Sequence, residues 1–133
     1  MIVIGLTGSI AMGKSETAKL FREQDIPVFD SDEEVHRLYE AGGAAVKPLS
    51  KLFPDALSER GEIDRSVLSR LAFKDPGLFK SIESIVHPLI RERKAAFLEE
   101  CKRAGNPIAV VDVPLLFETG QEKDVDKIVV VSA

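Results

Sequence analysis

The sequence predicts an α/β fold built on a parallel sheet, and two observations predict it. Short apolar, β-branched runs occupy residues 2–6, 108–112 and 128–131, as in strands that a parallel sheet buries on both faces. A glycine-rich turn leads from the first run directly into a segment with helical spacing of apolar residues. Strand, loop, helix and second strand within the first 30 residues make a βαβ unit, which is typical of this fold class.

Composition limits the kinds of protein this chain can be. Its 133 residues are 44% apolar and 30% charged, with a net charge of −4, which fits one globular domain. Because acidic and basic residues are interspersed, we expect no nucleic-acid partner and no membrane partner. The lone Cys101 predicts a reduced, cytoplasmic protein, with this residue in a helix core. Residues 1–7 lead straight into the loop described next, so we expect no signal peptide.

The turn after the first strand has the spacing Gly8-x-x-x-x-Gly13-Lys14-Ser15, which is that of a P-loop. Its glycines let several backbone N–H groups face one anion, and the predicted helix over residues 14–24 adds its positive N-terminus. Lys14 reaches β- and γ-phosphates, and the Ser15 hydroxyl can ligate Mg²⁺. The motif predicts a P-loop NTPase-type, three-layer αβα arrangement and a bound nucleoside triphosphate. The expected phosphate-site residues are Gly8, Ser9, Ile10, Ala11, Met12, Gly13, Lys14, Ser15 and Glu16.

Two aspartates follow the second predicted strand, which covers residues 27–29. Ser31 and Glu34 have capping-box spacing, so a helix begins there, and Asp30 and Asp32 flank its start. That start lies at the carboxyl edge of the sheet, where open α/β folds bind ligands. Both aspartates can simply cap the helix and complement its dipole. We favour a chemical role for Asp32, which is suited to orient or deprotonate a substrate hydroxyl.

More than sixty residues separate the second strand from the third, which is too long for a minimal crossover. We therefore expect an inserted helical subdomain over about residues 43–105, with a nucleotide core formed by about 1–42 and 106–133 of the same domain. Asp64 and Asp75 are predicted N-caps within the insertion. An insertion of this kind in an α/β nucleotide-binding protein is suited to hold the second substrate.

A buried stripe at helical spacing runs through the insertion at Ile82, Ile85, Val86, Leu89 and Ile90. His87-Pro88 interrupts it, and proline predicts a kink or a new helix start there, with His87 capping that start or meeting an anion. Arg91, Arg93 and Lys94 follow as the densest basic cluster. They are either surface residues paired with nearby glutamates or the counter-charge for a phosphate-rich substrate, and the sequence leaves both interpretations open.

The third strand, residues 108–112, ends in a carboxylate as a Walker-B strand does, so Asp112 is a candidate Mg²⁺ ligand. A strand-terminal aspartate that merely starts a turn is the alternative. The following segment, residues 113–118, is mostly apolar. Because it follows the ligand edge of the sheet, we expect it to form a wall of the binding site.

Four segments together resemble the dephospho-CoA kinase family: Gly5-Leu6-Thr7-Gly8-Ser9-Ile10 with the P-loop, Asp30-Ser31-Asp32, His87-Pro88-Leu89-Ile90, and Asp112-Val113-Pro114-Leu115-Leu116-Phe117-Glu118. The resemblance implies ATP-dependent transfer of the γ-phosphoryl group to the ribose 3′-hydroxyl of dephospho-CoA. It implies Asp32 and Lys14 as catalytic residues, ATP at the loop, and Ser15 as a Mg²⁺ contact. The expected acceptor contacts are His87, Arg91, Leu115, Phe117 and Glu118. Ala11 stands where the family frequently has glycine, and Met12 stands where it usually has a small residue.

Members of the family continue past the fourth strand into an arginine-bearing lid and a fifth strand. We therefore expect this chain to be part of a longer protein, and residues 1–133 alone to bind phosphates but turn over poorly. Two other functions remain as alternatives. One is a shikimate- or gluconate-type kinase, which would not be expected to carry the 112–118 segment, and the other is a non-kinase nucleotide-binding regulatory module. The oligomeric state does not follow from the sequence.

Overall fold

The computed structural model describes residues 1–8, 13–112 and 121–131. Its chain divides into two compact units. The first, here called the sheet unit, comprises Met1–Ser31 and Lys94–Ala133. The second, here called the helical unit, comprises Asp32–Arg93.

Four strands of the sheet unit pair in parallel, which confirms the predicted α/β class. They are β1 (Ile2–Gly8), β2 (Val28–Asp30), β3 (Ile108–Asp112) and β4 (Lys127–Val131), in the order β2-β3-β1-β4. Helix α1 (Lys14–Glu23) follows β1, and a 3₁₀ turn (Gln121–Asp124) precedes β4. Because β3 inserts between the first two strands of the chain, β1 and β3 become the inner strands of the sheet.

The core of the sheet unit lies between β1, β3 and α1. Leu6 and Val110 are fully buried on neighbouring strands, and Ala18 of α1 packs on them. Such burial accounts for the continuous apolar runs of β1 and β3, since both faces of these strands are covered. The same expectation is wrong for β4, where Val130 is 60% exposed. Cys101 is also buried, as predicted, and burial raises the pKa of its thiol above the ordinary value.

The helical unit has its own apolar core. Its elements are α2 (Ser31–Tyr39), whose first residue belongs to the sheet unit, α3 (Val46–Leu52), a 3₁₀ turn (Pro54–Ala56), α4 (Arg65–Lys74) and the first part of α5 (Pro76–Arg103). Their buried core residues are Leu38, Tyr39, Ala45, Leu49, Phe53, Ala56, Ile63, Leu68 and Val86. The predicted stripe of α5 packs against this cluster, because its apolar residues recur on one face of the helix.

Two helix starts in this unit confirm the predicted caps. The Asp64 carboxylate accepts a hydrogen bond from the Ser66 N–H at 2.9 Å, and α4 begins one residue after Asp64. The Asp75 carboxylate accepts one from the Gly77 N–H at 3.0 Å, with Pro76 as the first residue of α5. Each aspartate satisfies an N–H that has no partner within its own helix.

Helix α5 corrects one prediction. It runs for 28 residues with Pro88 inside it, so the expected new helix start at Pro88 is wrong, and His87 lies in the helix interior. The missing N–H and the ring clash cost roughly 3 kcal/mol. Apolar residues on both sides of Pro88, among them Ile85 and Ile90, pack against one core. The burial of these residues offsets the cost of Pro88, because a helix that ended there would remove the residues on one side of Pro88 from that core.

Among the described residues, no helix combines the length and the apolar character needed to cross a membrane.

Candidate active site

The carboxyl ends of three neighbouring strands carry the functional residues of the sheet unit. Strand β1 ends at Gly8, β2 at Asp30 and β3 at Asp112. The strands are parallel, so these ends lie at one edge, where α/β sheets bind ligands. Asp112 pairs in register with Leu6 on one side and with Asp30 on the other. This register places two aspartates on adjacent strand ends. The sequence placed both at the carboxyl edge of the sheet, but it did not give the strand order that makes them neighbours.

Both glycines of the loop that the structure describes have a backbone reason to be glycine. Gly8 has φ +145°, and a Cβ there would lie 2.2 Å from the Val131 carbonyl oxygen. Gly13 has φ +80°, and a Cβ there would lie 3.1 Å from Cγ1 of Val131. Any side chain at either position combines an unfavourable backbone conformation with a close approach to β4. The intervening Ser9, Ile10, Ala11 and Met12 lie outside the described residues.

Helix α1 begins immediately after Gly13. The Gly13 carbonyl oxygen accepts hydrogen bonds from the Thr17 N–H at 2.8 Å and from the Thr17 hydroxyl at 2.7 Å. This closes the first turn and leaves the positive end of the helix at the loop. Ser15 and Glu16 lie exposed on that turn, in the first helical residues after the loop.

Lys14 and Asp112 form a buried ion pair at this edge. Lys14 Nζ lies 2.6 Å from Asp112 Oδ1, and only 9% and 10% of the two side chains are exposed. A charge this far from water is stable only when an opposite charge compensates it. The structure therefore joins the residue predicted to bind phosphate with the residue predicted to hold Mg²⁺.

The helical unit carries Asp32, the remaining residue with a predicted catalytic role. Asp32 is exposed in the first turn of α2, which also contains Glu33 and Glu34. Arg37 pairs with Glu33 at 3.0 Å and with Glu34 at 3.1 Å, and Arg93 of α5 also bonds Glu34. In the part of the chain that the structure describes, Asp32 makes no ion pair.

The predicted acceptor residues divide into described and undescribed ones. His87 and Arg91 are exposed on α5, and Arg91 makes no ion pair with any described residue. Arg93 of the same basic cluster pairs with Glu34 of α2 rather than with a neighbour on its own helix. Leu115, Phe117 and Glu118 lie outside the described residues.

The strand ends carry two carboxylates, those of Asp30 and Asp112. Among the described residues, no group of three or more His, Cys, Asp or Glu side chains is placed to hold a metal. Mg²⁺ commonly binds one or two carboxylates, water and substrate phosphates. The Asp112 carboxylate can supply one ligand of such a partial set, whereas the neighbouring Lys14 and helix N-terminus attract phosphate and not the metal.

Comparison with known proteins assigns the family. The sequence model of the dephospho-CoA kinase family (CoaE) matches residues 2–133. The chain belongs to this family. Dephospho-CoA kinases from Rhodopseudomonas palustris and Agrobacterium fabrum are 51% and 52% identical to it, each over 99% of the chain. The chain spans about 65% of the length of these curated relatives.

A solved structure has the same fold. The crystal structure of TT1252 from Thermus thermophilus matches with a TM-score of 0.81 and 38% sequence identity. The match covers 98% of this chain and 64% of that protein. The P-loop NTPase type predicted from residues 8–15 thus agrees with the family to which the chain belongs.

Proposed function

We propose that the chain carries an ATP-dependent kinase activity, which transfers the γ-phosphoryl group to the ribose 3′-hydroxyl of dephospho-CoA. The observation that carries the proposal is the buried Lys14–Asp112 pair at the carboxyl ends of β1 and β3. It joins the lysine of a P-loop to the aspartate of a Walker-B strand, the two charges that phosphoryl transfer needs around the phosphates. Membership in the dephospho-CoA kinase family supports the same reaction and acceptor.

The phosphate site is built from the residues around the Gly8–Gly13 loop. Lys14 exchanges the Asp112 carboxylate for the β- and γ-phosphates of ATP when the nucleotide binds, since both partners carry negative charge. The Asp112 carboxylate is then available to hold Mg²⁺ together with the Ser15 hydroxyl. When bound, Mg²⁺ neutralises charge that develops on the phosphate oxygens. The N-terminus of α1 stabilises the same negative charge.

Asp32 is the proposed base that orients and deprotonates the acceptor hydroxyl. The first turn of α2 contains three carboxylates, and Arg37 pairs with the other two, Glu33 and Glu34, at 3.0 and 3.1 Å. Asp32 is exposed and makes no ion pair within the described residues, so its oxygens can accept a proton from a substrate. His87, Arg91, Leu115, Phe117 and Glu118 are the proposed acceptor contacts, and a cytoplasmic location is part of the same proposal.

The test replaces Asp32 with Asn in the full-length protein and compares its ATP affinity with its rate of phosphoryl transfer. Because a positioned base contributes about 10²–10⁴-fold, kcat falls by that factor, while the Kd for ATP stays unchanged. Glu33→Gln is the matched control, since it changes the adjacent carboxylate without touching the proposed base, and it keeps kcat. Parallel loss of ATP binding and transfer in Asp32→Asn would show that Asp32 is a structural cap.

The acceptor is tested in the same assay by measuring the rate of ADP release in the presence of each candidate alcohol. The proposal expects turnover with dephospho-CoA and none with shikimate or gluconate. Turnover with either of the latter, or ATP hydrolysis that no acceptor stimulates, would contradict it.

A further inference from the structure

The helical unit contains a groove between α4 and α5 that its own fold does not fill. Its volume is about 490 Å³, within the range of small-molecule sites. Phe73 and Phe79 border it with 91% and 53% of their surfaces exposed. The residues that line this groove are Tyr39, Arg65, Leu68, Ser69, Ala72, Phe73, Pro76, Phe79 and Ile82.

The groove carries one positive charge against apolar walls. Arg65 is the one formally charged side chain among its described lining residues. The Arg65 guanidinium carbon lies 5.7 Å from the centre of the Tyr39 ring, a cation–π distance. Within the described part of the chain, Arg65 forms no ion pair. The groove therefore offers a cation, which a ligand anion can pair with, next to a surface that favours apolar groups.

A neighbouring cavity shows that the two sides of Arg65 differ in charge. That cavity, of about 660 Å³, also touches Tyr39 and Arg65, but Glu40, Glu62 and Asp64 line it as well. These carboxylates repel an anion, whereas the α4–α5 groove holds none among its described lining residues. An anionic ligand with an apolar portion is accordingly favoured on the α4–α5 side of Arg65.

We propose that the α4–α5 groove binds the phosphopantetheine arm of the acceptor, with Arg65 on a phosphate and the Phe79 and Phe73 rings against the arm. The arm combines an anionic end with methyl and methylene groups, which matches a single cation beside two exposed aromatic rings. This inference rests on the proposed function, because it assigns a place to one part of dephospho-CoA. Phe79 and Arg65 thereby become specificity residues for an acceptor that carries the arm.

The protein provides its own probe for this groove. Tyr39 is the single tyrosine of the chain, which has no tryptophan, so emission excited at the tyrosine band reports Tyr39 alone. The added ligand is 4′-phosphopantetheine, which lacks the adenine of the substrate and leaves the tyrosine band clear. We expect a saturable change in Tyr39 emission, from which the Kd is read.

Three substitutions and two control variants locate the ligand. Phe79→Ser raises the Kd by about tenfold, the effect of about 1.4 kcal/mol of lost contact, and Arg65→Gln raises it at least as much. Leu52→Ser and Arg60→Gln are the matched controls, since Leu52 is 55% exposed and neither residue lines the groove. Both controls keep the wild-type Kd. Ser69→Leu narrows the groove without removing a core residue, and it also raises the Kd.

Three results would overturn the inference. The first is an unsaturable or absent emission change with 4′-phosphopantetheine, and the second is an equal Kd in the wild type, Phe79→Ser and Ser69→Leu. Binding of octanoate as tight as that of 4′-phosphopantetheine also contradicts it, since a generic apolar anion then suffices. Turnover of dephospho-CoA, measured with the full-length protein because residues 1–133 alone are expected to turn over poorly, separates the two proposals. Turnover without an emission change refutes the groove alone, whereas groove binding without turnover refutes the proposed reaction.

Discussion

Lys14 and Asp112 show how one contact at the residue scale links stability to function. Their atoms meet at 2.6 Å with about nine-tenths of each side chain buried. Removing one partner of such a pair costs about 3–5 kcal/mol, because the other charge is left buried and uncompensated. In the proposed function, a phosphate that enters the loop would supply the negative charge that Asp112 supplies to Lys14.

Asp112→Asn therefore yields a protein whose stability depends on a bound anion. We expect the substitution to lower the free energy of unfolding by about 3 kcal/mol. In the presence of EDTA, we expect pyrophosphate to raise the free energy of unfolding of Asp112→Asn by more than it raises that of the wild type. Urea unfolding with and without pyrophosphate measures both quantities. Asp55→Asn is the control, since Asp55 is an exposed residue of a 3₁₀ turn in the helical unit. A pyrophosphate effect of the same size in the wild type and Asp112→Asn would contradict the exchange of partners at Lys14.

The cap of α4 is the clearest feature at the scale of one element. The Asp64 carboxylate accepts hydrogen bonds from the Ser66 hydroxyl at 2.6 Å and from the Ser66 N–H at 2.9 Å. These bonds favour the ionised form, and they lower the pKa of Asp64 below its ordinary value. A depressed pKa contributes stability above the pKa of the unfolded chain, and that stability is lost as the pH falls through the folded value.

Asp64→Asn separates capping from charge. Asparagine also caps helices well, but it carries no charge at any pH. The ionised Asp64 of the wild type contributes additional stability at neutral pH, so we expect the wild type to be the more stable protein there. The difference in Tm between the two shrinks as the pH falls below about 4, the range of carboxyl groups. Thermal unfolding from pH 7 to pH 2 measures it, with Glu59→Gln as an exposed control. A Tm difference that stays constant over this range would show that the charge of Asp64 does not contribute.

At the scale of the whole molecule, the two proposed ligands belong to different compact units. The residues of the phosphate site lie in Met1–Ser31 and Lys94–Ala133, and the groove residues lie in Asp32–Arg93. A ligand stabilises the amides that open together with its site, so each ligand is expected to protect its own unit first.

Hydrogen exchange tests this separation. At a concentration of about 100 times its Kd, ATP is expected to raise the free energy of opening of its unit by roughly 2.7 kcal/mol. Amide exchange in β1, α1 and β3 then slows about a hundredfold. At the same excess, 4′-phosphopantetheine slows exchange in α4 and in residues 76–93 of α5 instead. Lys14→Ala removes the ATP effect and leaves the second effect in place. Protection that spreads equally over both units with either ligand would refute the separate assignment.

Local patterns in the sequence by themselves determined much of this fold. The strands, helix α1 and the α5 stripe follow from the spacing of apolar residues, and the Asp64 and Asp75 caps follow from short-range hydrogen bonds. These features depend on residues a few positions apart, so the sequence contains all their causes. The P-loop is likewise predicted from glycine spacing, because that spacing reflects local backbone geometry.

Only the tertiary structure decided which distant residues meet. The strand order β2-β3-β1-β4 brings Asp112 beside Asp30 and within 2.6 Å of Lys14. Tertiary packing also explains why α5 continues through Pro88 and why Arg93 pairs with Glu34. Sequence periodicity shows which face of an element is apolar, but not which partner covers it. Those pairings minimise the free energy of the folded chain as a whole, so no short segment contains their cause.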